Sequence, residues 1–145
     1  MTRAMRDRFF IAALLLAPPV WLLVYIVPLP ALSGYQLSLT QLFLQGLLFP
    51  VLEELAFRGL VQGYLLRLPL LAERQLGVTG ANGVTSLLFA AAHLIHRTPD
   101  VAALTFFPSL IFGELRDRFG TTRQAIFMHV YYNLGLLLVL AHKPV

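Results

Sequence analysis

Two adjacent carboxylates and an arginine lie inside a long apolar stretch of this chain. Glu53 and Glu54 are followed by Arg58 in a run that begins at Gly46 and is otherwise mostly aliphatic or aromatic. A charged side chain at membrane depth costs about 2.5 to 3.5 kcal/mol even on permissive insertion scales, so such residues usually have a function. These three residues are therefore the first candidates for a chemical role.

The spacing of the three residues predicts a division of roles. Glu54 and Arg58 are four residues apart, the separation at which side chains meet on one face of a helix. Glu53 lies about 100° around the same helix, so the two carboxylates cannot share one partner equally. The interpretation that follows is an internal ion pair between Glu54 and Arg58, with Glu53 left for chemistry.

Two more polar pairs have the same helical spacing. Phe89 and His93 are four residues apart, and so are His129 and Asn133. Peptide hydrolysis by water needs a base, a group that orients the water, and hydrogen-bond donors for the oxyanion. Glu53 and His93 can do the first two, while His129 and Asn133 can supply donors, each worth about 3 to 4 kcal/mol in known hydrolases. This spacing alone does not establish a protease.

The composition predicts a membrane protein. Of the 145 residues, 58% are hydrophobic and 12% are charged, and the mean hydropathy is +0.75. The net charge is +4, but the basic residues are scattered singly between apolar runs, which argues against a nucleic-acid partner. The absence of cysteine excludes disulfides, thiolate metal sites and a cysteine nucleophile. The expected partner is the lipid bilayer.

Five apolar segments organise the chain as an all-α, polytopic transmembrane bundle in a single domain, 1–145. A span needs about 20 apolar residues, and the first segment fits a spanning helix better than a signal peptide. Pro50 is expected to kink the second segment just before the acidic pair, and Pro108 to break the fourth. The third is short, so its helix either starts before Gly83 or ends inside the protein. The predicted segments are Phe9–Val27, Leu37–Leu66, Val84–Ile95, Val101–Gly113 and Gln124–Ala141.

The sequence between these segments predicts loops and a topology. Pro28–Gly34 and Gly77–Gly83 are rich in turn residues, 96–100 is a polar connector, and Glu114–Gly120 is predicted to be a charged turn. The positive-inside rule places the N-terminus in the cytoplasm and the C-terminus outside, in the cell (inner) membrane. The eight basic residues assigned to the cytoplasmic side are Arg3, Arg6, Arg8, Arg67, Arg74, Arg116, Arg118 and Arg123.

The order of the motifs resembles that of a known family. Glu53-Glu54-x-x-x-Arg58, Phe89-x-x-x-His93 and His129-x-x-x-Asn133 on separate helices are similar to the three motifs of the CAAX protease and bacteriocin-processing family. The resemblance covers about residues 41 to 137 and includes the turn at 113–120. The ordered set is specific, although each motif alone is weak.

The resemblance implies a glutamate-dependent intramembrane endopeptidase acting on a membrane-associated protein or peptide, in processing or sorting of a membrane-tethered substrate. The catalytic set would be Glu53, Glu54, His93, His129 and Asn133. In it, Glu53 with His93 activates water and His129 with Asn133 forms the oxyanion site. Arg58, with Glu54, would brace the helix, and Phe89 would pack. No cofactor is expected.

Three alternatives remain open from the sequence. Glu53, His93 and His129 are ligand types that zinc accepts, which leaves a metal-dependent protease possible. A non-catalytic immunity or scaffold protein could use the same polar residues to hold a peptide. The Glu54 and Arg58 pair could be purely structural even in an enzyme. Serine, aspartyl and zinc protease motifs such as Gly-x-Ser-x-Gly, Gly-x-Gly-Asp and His-Glu-x-x-His do not occur.

Overall fold

The computed structural model describes residues 3–27, 36–75 and 77–143, and it is mostly helical, as the sequence predicts. The loop predicted at Pro28–Gly34 lies outside the described residues. The chain divides into two compact units, one formed by residues up to Val51 together with those from Met128 onward, the other by Leu52–Phe127. The α-helices are α1 (Arg8–Ile26), α2 (Leu39–Phe43), α3 (Phe49–Glu54), α4 (Gln62–Leu65), α5 (Pro69–Ala72), α6 (Gly80–His93), α7 (Pro99–Leu104), α8 (Phe106–Phe119) and α9 (Arg123–His142).

Two of these helices, α1 and α9, are long and apolar enough to cross a membrane. They match the first and last predicted segments to within one residue at each end. The other predicted spans are helical too, but they are shorter or interrupted. The prediction of five spans is therefore supported only as far as a helical protein with two helices of membrane-spanning length.

The second predicted segment is helical from Leu39 to Leu65, but its geometry changes twice. It begins at a capping box, in which the Ser38 hydroxyl accepts from the Gln41 N–H and the Gln41 side chain accepts from the Ser38 N–H. Two π-helical turns follow, π1 (Leu44–Leu48) and π2 (Leu55–Val61), with α3 between them. The irregularity predicted before the acidic pair therefore takes the form of a π-helical turn that ends just before Pro50.

In the first unit, aromatic side chains join α1 and α9. The Trp21 ring lies 5.0 Å from the Tyr131 ring in an edge-on arrangement. A Cβ atom at Gly135 would overlap the Trp21 indole, so glycine is what lets the two helices approach here. The Tyr132 hydroxyl donates to the Ala13 carbonyl at 2.8 Å. The buried Lys143 ammonium donates to the carbonyls of Val24 and Val27 at the C-terminal end of α1. The negative end of the helix dipole favours a cation there.

In the second unit, α6 begins earlier than its apolar run. Thr79 caps the helix by accepting from the Asn82 N–H at 3.0 Å, and α6 therefore starts at Gly80. Of the two explanations for the short third segment, the structure supports the earlier start. Just before the helix, Arg74–Gln75 and Val78–Thr79 form a two-residue antiparallel ladder across a turn in which Gly77 has a φ of 88°. The all-α prediction did not include this ladder.

The charged turn predicted at Glu114–Gly120 is wrong, because residues 114–119 form the last part of α8. The helix stops at Gly120, which has the left-handed φ of 70° typical of a glycine after a helix end. Glu114 is buried, with Arg74 at 2.6 Å and Arg118 at 3.4 Å. These partners let charged residues continue the helix where the sequence predicts a turn. The break predicted at Pro108 falls slightly earlier, between α7 and α8 at Thr105.

Helices α6 and α8 pack closely in the second unit. A Cβ atom at Gly113 of α8 would overlap the side chain of Asn82, which is fully buried on α6. The Asn82 amide donates to the Leu110 carbonyl at 3.0 Å and accepts from the Ser86 hydroxyl at 3.1 Å. These contacts fix α6, the helix that carries Phe89 and His93, against α8.

Candidate active site

The predicted ion pair between Glu54 and Arg58 is confirmed. The Arg58 Nε lies 3.2 Å from Glu54 Oε2, and both side chains are 0% exposed. An ion pair within a helix has little access to water when both partners are buried, so each charge depends on the other for compensation. Glu54 is thus committed to Arg58, as the spacing predicted.

Arg58 also connects its own helix to two others. Its Nη2 donates to the Ser109 carbonyl at 3.0 Å and to the Ser109 hydroxyl, both on α8. Its guanidinium carbon lies 5.5 Å from the centre of the Phe89 ring on α6, a cation–π distance. Among the described residues, its buried Nη1 has no hydrogen-bond partner. Arg58 is the residue through which the first two motifs meet.

Glu53 is more exposed than the adjacent Glu54. Its side chain is partly exposed, whereas Glu54 has no exposed surface. Both belong to α3 and stand one residue apart, so the difference follows from the helical rotation between them. Of the two glutamates, Glu53 is therefore the one with surface exposed outside the protein.

The His93 ring has a defined orientation. Its Nδ1 lies 2.9 Å from the Phe89 carbonyl oxygen, and its ring stacks on Phe89 at 4.6 Å. Because a carbonyl only accepts, Nδ1 must carry the proton, and the neutral imidazole then has its lone pair on Nε2. Phe89 also contacts Phe57 at 5.1 Å. With Nδ1 donating to the Phe89 carbonyl, Nε2 of His93 can accept a hydrogen bond.

The third motif lies on α9. His129 is buried, and the Asn133 Nδ2 donates to the Gln45 carbonyl at 2.9 Å. The predicted oxyanion donor thus already has one of its two amide protons in a hydrogen bond to π1. The residues that the structure describes contain no group of three or more His, Asp or Glu side chains placed to hold a metal ion.

A polar network at the ends of these helices was not predicted. The Gln62 Nε2 donates to the Gly113 carbonyl at 2.9 Å and to Asp117 Oδ1 at 2.7 Å, and the Thr79 hydroxyl donates to Asp117 Oδ2 at 2.7 Å. Arg116 Nε donates to the Arg58 carbonyl at 3.2 Å. Gln62 follows Arg58 by four residues, so extending the helical spacing could have found it. The partners on α8 have no such signal, because they lie 38 to 58 positions away in the chain.

Comparison with known proteins agrees with the motif order. A family model described as type II CAAX prenyl endopeptidase Rce1-like matches residues 35–135, which include all three motifs. Neither a curated protein nor a solved structure gives a significant match. The matched region covers more than half of the chain and contains Glu53, His93 and Asn133. The chain is therefore a member of the type II CAAX prenyl endopeptidase Rce1-like family, a family of membrane-embedded proteases.

Proposed function

We propose that this protein is an intramembrane endopeptidase that hydrolyses a peptide bond in a membrane-associated protein or peptide, with Glu53 and His93 activating the water. The observation that carries the proposal is the difference in burial between the two glutamates, which belong to a motif that the family model covers. Glu54 is fully buried against Arg58, and Glu53 is partly exposed. A base must reach water, and Glu53 meets that requirement better.

The proposed reaction needs no covalent enzyme intermediate. Glu53 takes a proton from water while His93 Nε2 accepts the second hydrogen bond and orients it. The water oxygen bonds to the peptide carbonyl carbon, and the negative charge develops on the carbonyl oxygen. We assign His129 and Asn133 as donors to that oxygen. The C–N bond then breaks, and the proton held by Glu53 passes to the leaving amine.

We assign Glu54, Arg58 and Phe89 to support of this chemistry. Arg58 contacts Glu54 on its own helix, Ser109 on α8 and Phe89 on α6. The Phe89 ring in turn contacts the His93 ring, and the Phe89 carbonyl accepts a hydrogen bond from His93 Nδ1. This continuous set of contacts supports a role for the three residues in holding the base and the histidine.

The decisive experiment measures the products of a membrane peptide incubated with purified protein. Wild type is expected to give two fragments whose masses together equal that of the peptide plus one water molecule. Glu53→Gln and His93→Ala are expected to give none, and Glu73→Gln, at an exposed glutamate outside α3, should match wild type. Binding of the peptide without fragments, in wild type as in the variants, would instead support the non-catalytic scaffold.

We further propose that no metal takes part. Exhaustive chelation is then expected to leave the cleavage rate unchanged, and purified protein is expected to contain no stoichiometric metal. A rate that falls on chelation and returns on addition of zinc would support the metal-dependent alternative involving Glu53, His93 and His129.

For the membrane arrangement, we propose five spans in the cell membrane, with the N-terminus in the cytoplasm. The support is the distribution of basic residues, which favours the side bearing Arg67, Arg74 and Arg118. The chain has no cysteine, so single substitutions can be labelled without background. Arg118→Cys should be protected from an impermeant thiol reagent in intact cells, and Arg97→Cys should react. The opposite labelling pattern would contradict the topology.

A further inference from the structure

The two π-helical turns share one hydrogen-bond arrangement. In an α-helix each N–H donates to the carbonyl four residues back, but at the end of π2 the Gln62 N–H donates to Phe57, five residues back. It thereby passes over the Arg58 carbonyl, and Arg116 Nε donates to that oxygen instead, at 3.2 Å. A side chain from α8 replaces the backbone donor.

The same replacement occurs at π1. The Phe49 N–H donates to Leu44, and so passes over the Gln45 carbonyl, which accepts from Asn133 Nδ2 at 2.9 Å. Pro50 comes next and has no N–H to offer. At each turn, then, a donor from another helix satisfies the carbonyl that the π geometry passes over. The repetition indicates that both side chains stabilise the turns.

The two hydrogen bonds at the π turns affect the helix that lies between the turns. Helix α3, which carries Glu53 and Glu54, is six residues long and lies directly between them. The rotation of such a short helix depends on the turns at its ends, because a π turn advances the chain around the axis by a smaller angle per residue than an α turn. A change in π2 would turn the glutamates relative to Arg58 and the residues that follow.

From this geometry we propose that Arg116 is a positioning residue for the proposed base. Its bond to the Arg58 carbonyl holds π2 and so holds the direction of the Glu53 side chain. The Arg116 guanidinium also lies beside Gly63, since a Cβ atom built at that glycine would be in van der Waals contact with Nη2 at 3.7 Å. The inference rests on the proposed function and adds a residue that lies outside the three motifs.

Two substitutions separate the hydrogen bond from the charge. Glutamine places its Nε2 at the same point along the side chain as arginine Nε, so Arg116→Gln keeps an N–H donor and loses the charge. Arg116→Met has a methyl group there and loses both. The matched control is Arg118→Met, which removes the same charge from the same helix and leaves Glu114 with Arg74 at 2.6 Å.

The experiment measures kcat and KM for peptide cleavage, with thermal unfolding in detergent as the check on folding. Arg116→Met is expected to lower kcat by about 10-fold or more, since small displacements of a reacting group have effects of that size. Its KM is expected to change less than about 2-fold, because the proposed role of Arg116 lies in the chemical step and not in substrate binding. Arg116→Gln and Arg118→Met should stay within about 3-fold of wild type in kcat.

The outcomes distinguish a failure of this inference from a failure of the proposed function. A folded Arg116→Gln that loses as much kcat as Arg116→Met would overturn the inference, because the charge and not the donor would then matter. Normal kcat in a folded Arg116→Met would overturn it as well. If Arg116→Met does not fold, a folded Arg116→Gln whose kcat falls by about 10-fold or more would still overturn the inference. Wild type that yields no fragments from any peptide would instead refute the proposed function, and the inference with it.

Discussion

The guanidinium carbon of Arg58 lies 5.5 Å from the centre of the Phe89 ring, and this contact joins the first motif to the second. The His93 ring rests on the same phenylalanine at 4.6 Å. A cation and a histidine therefore share one aromatic side chain, and Glu54 Oε2 lies 3.2 Å from the Arg58 Nε. Substitutions in this group should have effects that depend on one another.

The first prediction concerns the buried ion pair. Glu54→Gln should lower the free energy of unfolding by about 3 to 5 kcal/mol, because it leaves a buried guanidinium without its counter-charge. Arg58→Met should be at least as harmful, since it also removes the bonds to Ser109. The double variant should cost less than the sum of the two, as measured by denaturant unfolding in detergent.

A control for this cycle is Arg118→Met. Arg118 is an exposed partner of Glu114 at 3.4 Å, and its loss should change the free energy of unfolding by less than about 1 kcal/mol. Strict additivity of Glu54→Gln and Arg58→Met would mean that the two side chains do not act as a pair.

The second prediction follows from the orientation of His93. His93→Asn keeps an N–H near the Nδ1 position, and His93→Gln instead places its amide near Nε2. Neither side chain can both donate to the Phe89 carbonyl and accept a hydrogen bond from water at the Nε2 position, so both should lower kcat by about 100-fold or more. His93→Asn should have the higher melting temperature, because it can still donate to the Phe89 carbonyl.

His142 provides the matched control for this substitution. Its Nδ1 lies 2.8 Å from the Leu138 carbonyl, the same local geometry on an exposed turn of α9. His142→Asn should retain the wild-type cleavage rate. If His93→Asn were equally active, His93 would have no part in orienting the water.

The third prediction tests the close approach of α6 and α8. In Gly113→Ala the new methyl group would overlap Asn82, which cannot move away without losing its bond to the Leu110 carbonyl. The expected loss is about 1 to 3 kcal/mol of unfolding free energy. Gly83→Ala is the control, since a Cβ there has no atom within 4 Å. Inside α6, alanine should gain about 0.5 to 1 kcal/mol over glycine. Equal melting temperatures for the two variants would contradict the packing.

The fourth prediction concerns pH and Asp117, which lies in the charged end of α8, beyond the apolar segment 101–113. Burial raises the pKa of the Asp117 carboxyl above 3.8, with a smaller push from Glu114, although hydrogen bonds from Thr79 and Gln62 and the charge of Arg74 oppose the shift. The folded protein thus holds this proton to higher pH than the unfolded chain. The stability that the group contributes is complete below pH 3.8 and is lost as pH rises through the folded pKa.

The test compares the melting temperature of wild type with that of Asp117→Asn from about pH 3 to about pH 7. Relative to the variant, wild type should lose stability as pH rises. Asp100→Asn should show the opposite sign, because hydrogen bonds, first that of the Thr98 side chain, lower the pKa of the Asp100 carboxyl from 3.8. An increase of wild-type stability with pH relative to Asp117→Asn would contradict this assignment.

Local spacing predicted a good part of the candidate site. The pairing of Glu54 with Arg58 and the contact of Phe89 with His93 both follow from a four-residue separation on a helix, and both occur. The ends of α1 and α9 followed from apolar runs of spanning length. These features depend on interactions between residues close in the chain, which is why a single sequence reveals them.

Features that depend on distant residues were not predicted. The sequence placed a turn at Glu114–Gly120, because charge beside an apolar run resembles an interface. The helix continues there since Glu114 and Asp117 find partners near the start of α6. Likewise, Asn133 was predicted as an oxyanion donor, and its bond to the Gln45 carbonyl depends on a π turn that the sequence barely indicates. Pro50 was the one local sign of that turn.

The π turns also bear on how insertions and deletions should act in this helix. Each turn accommodates about one residue more than an α-helix of the same length would hold. Deleting one residue within Leu44–Leu48 could therefore be absorbed as a plain α turn, with the helix on both sides kept in place. A deletion at residues 49–52 of α3 would rotate Glu53 and the residues after it by about 100° relative to the residues before the deletion. Within the stretch from Leu39 to Leu65, a single-residue deletion should thus be tolerated better at π1 than within α3.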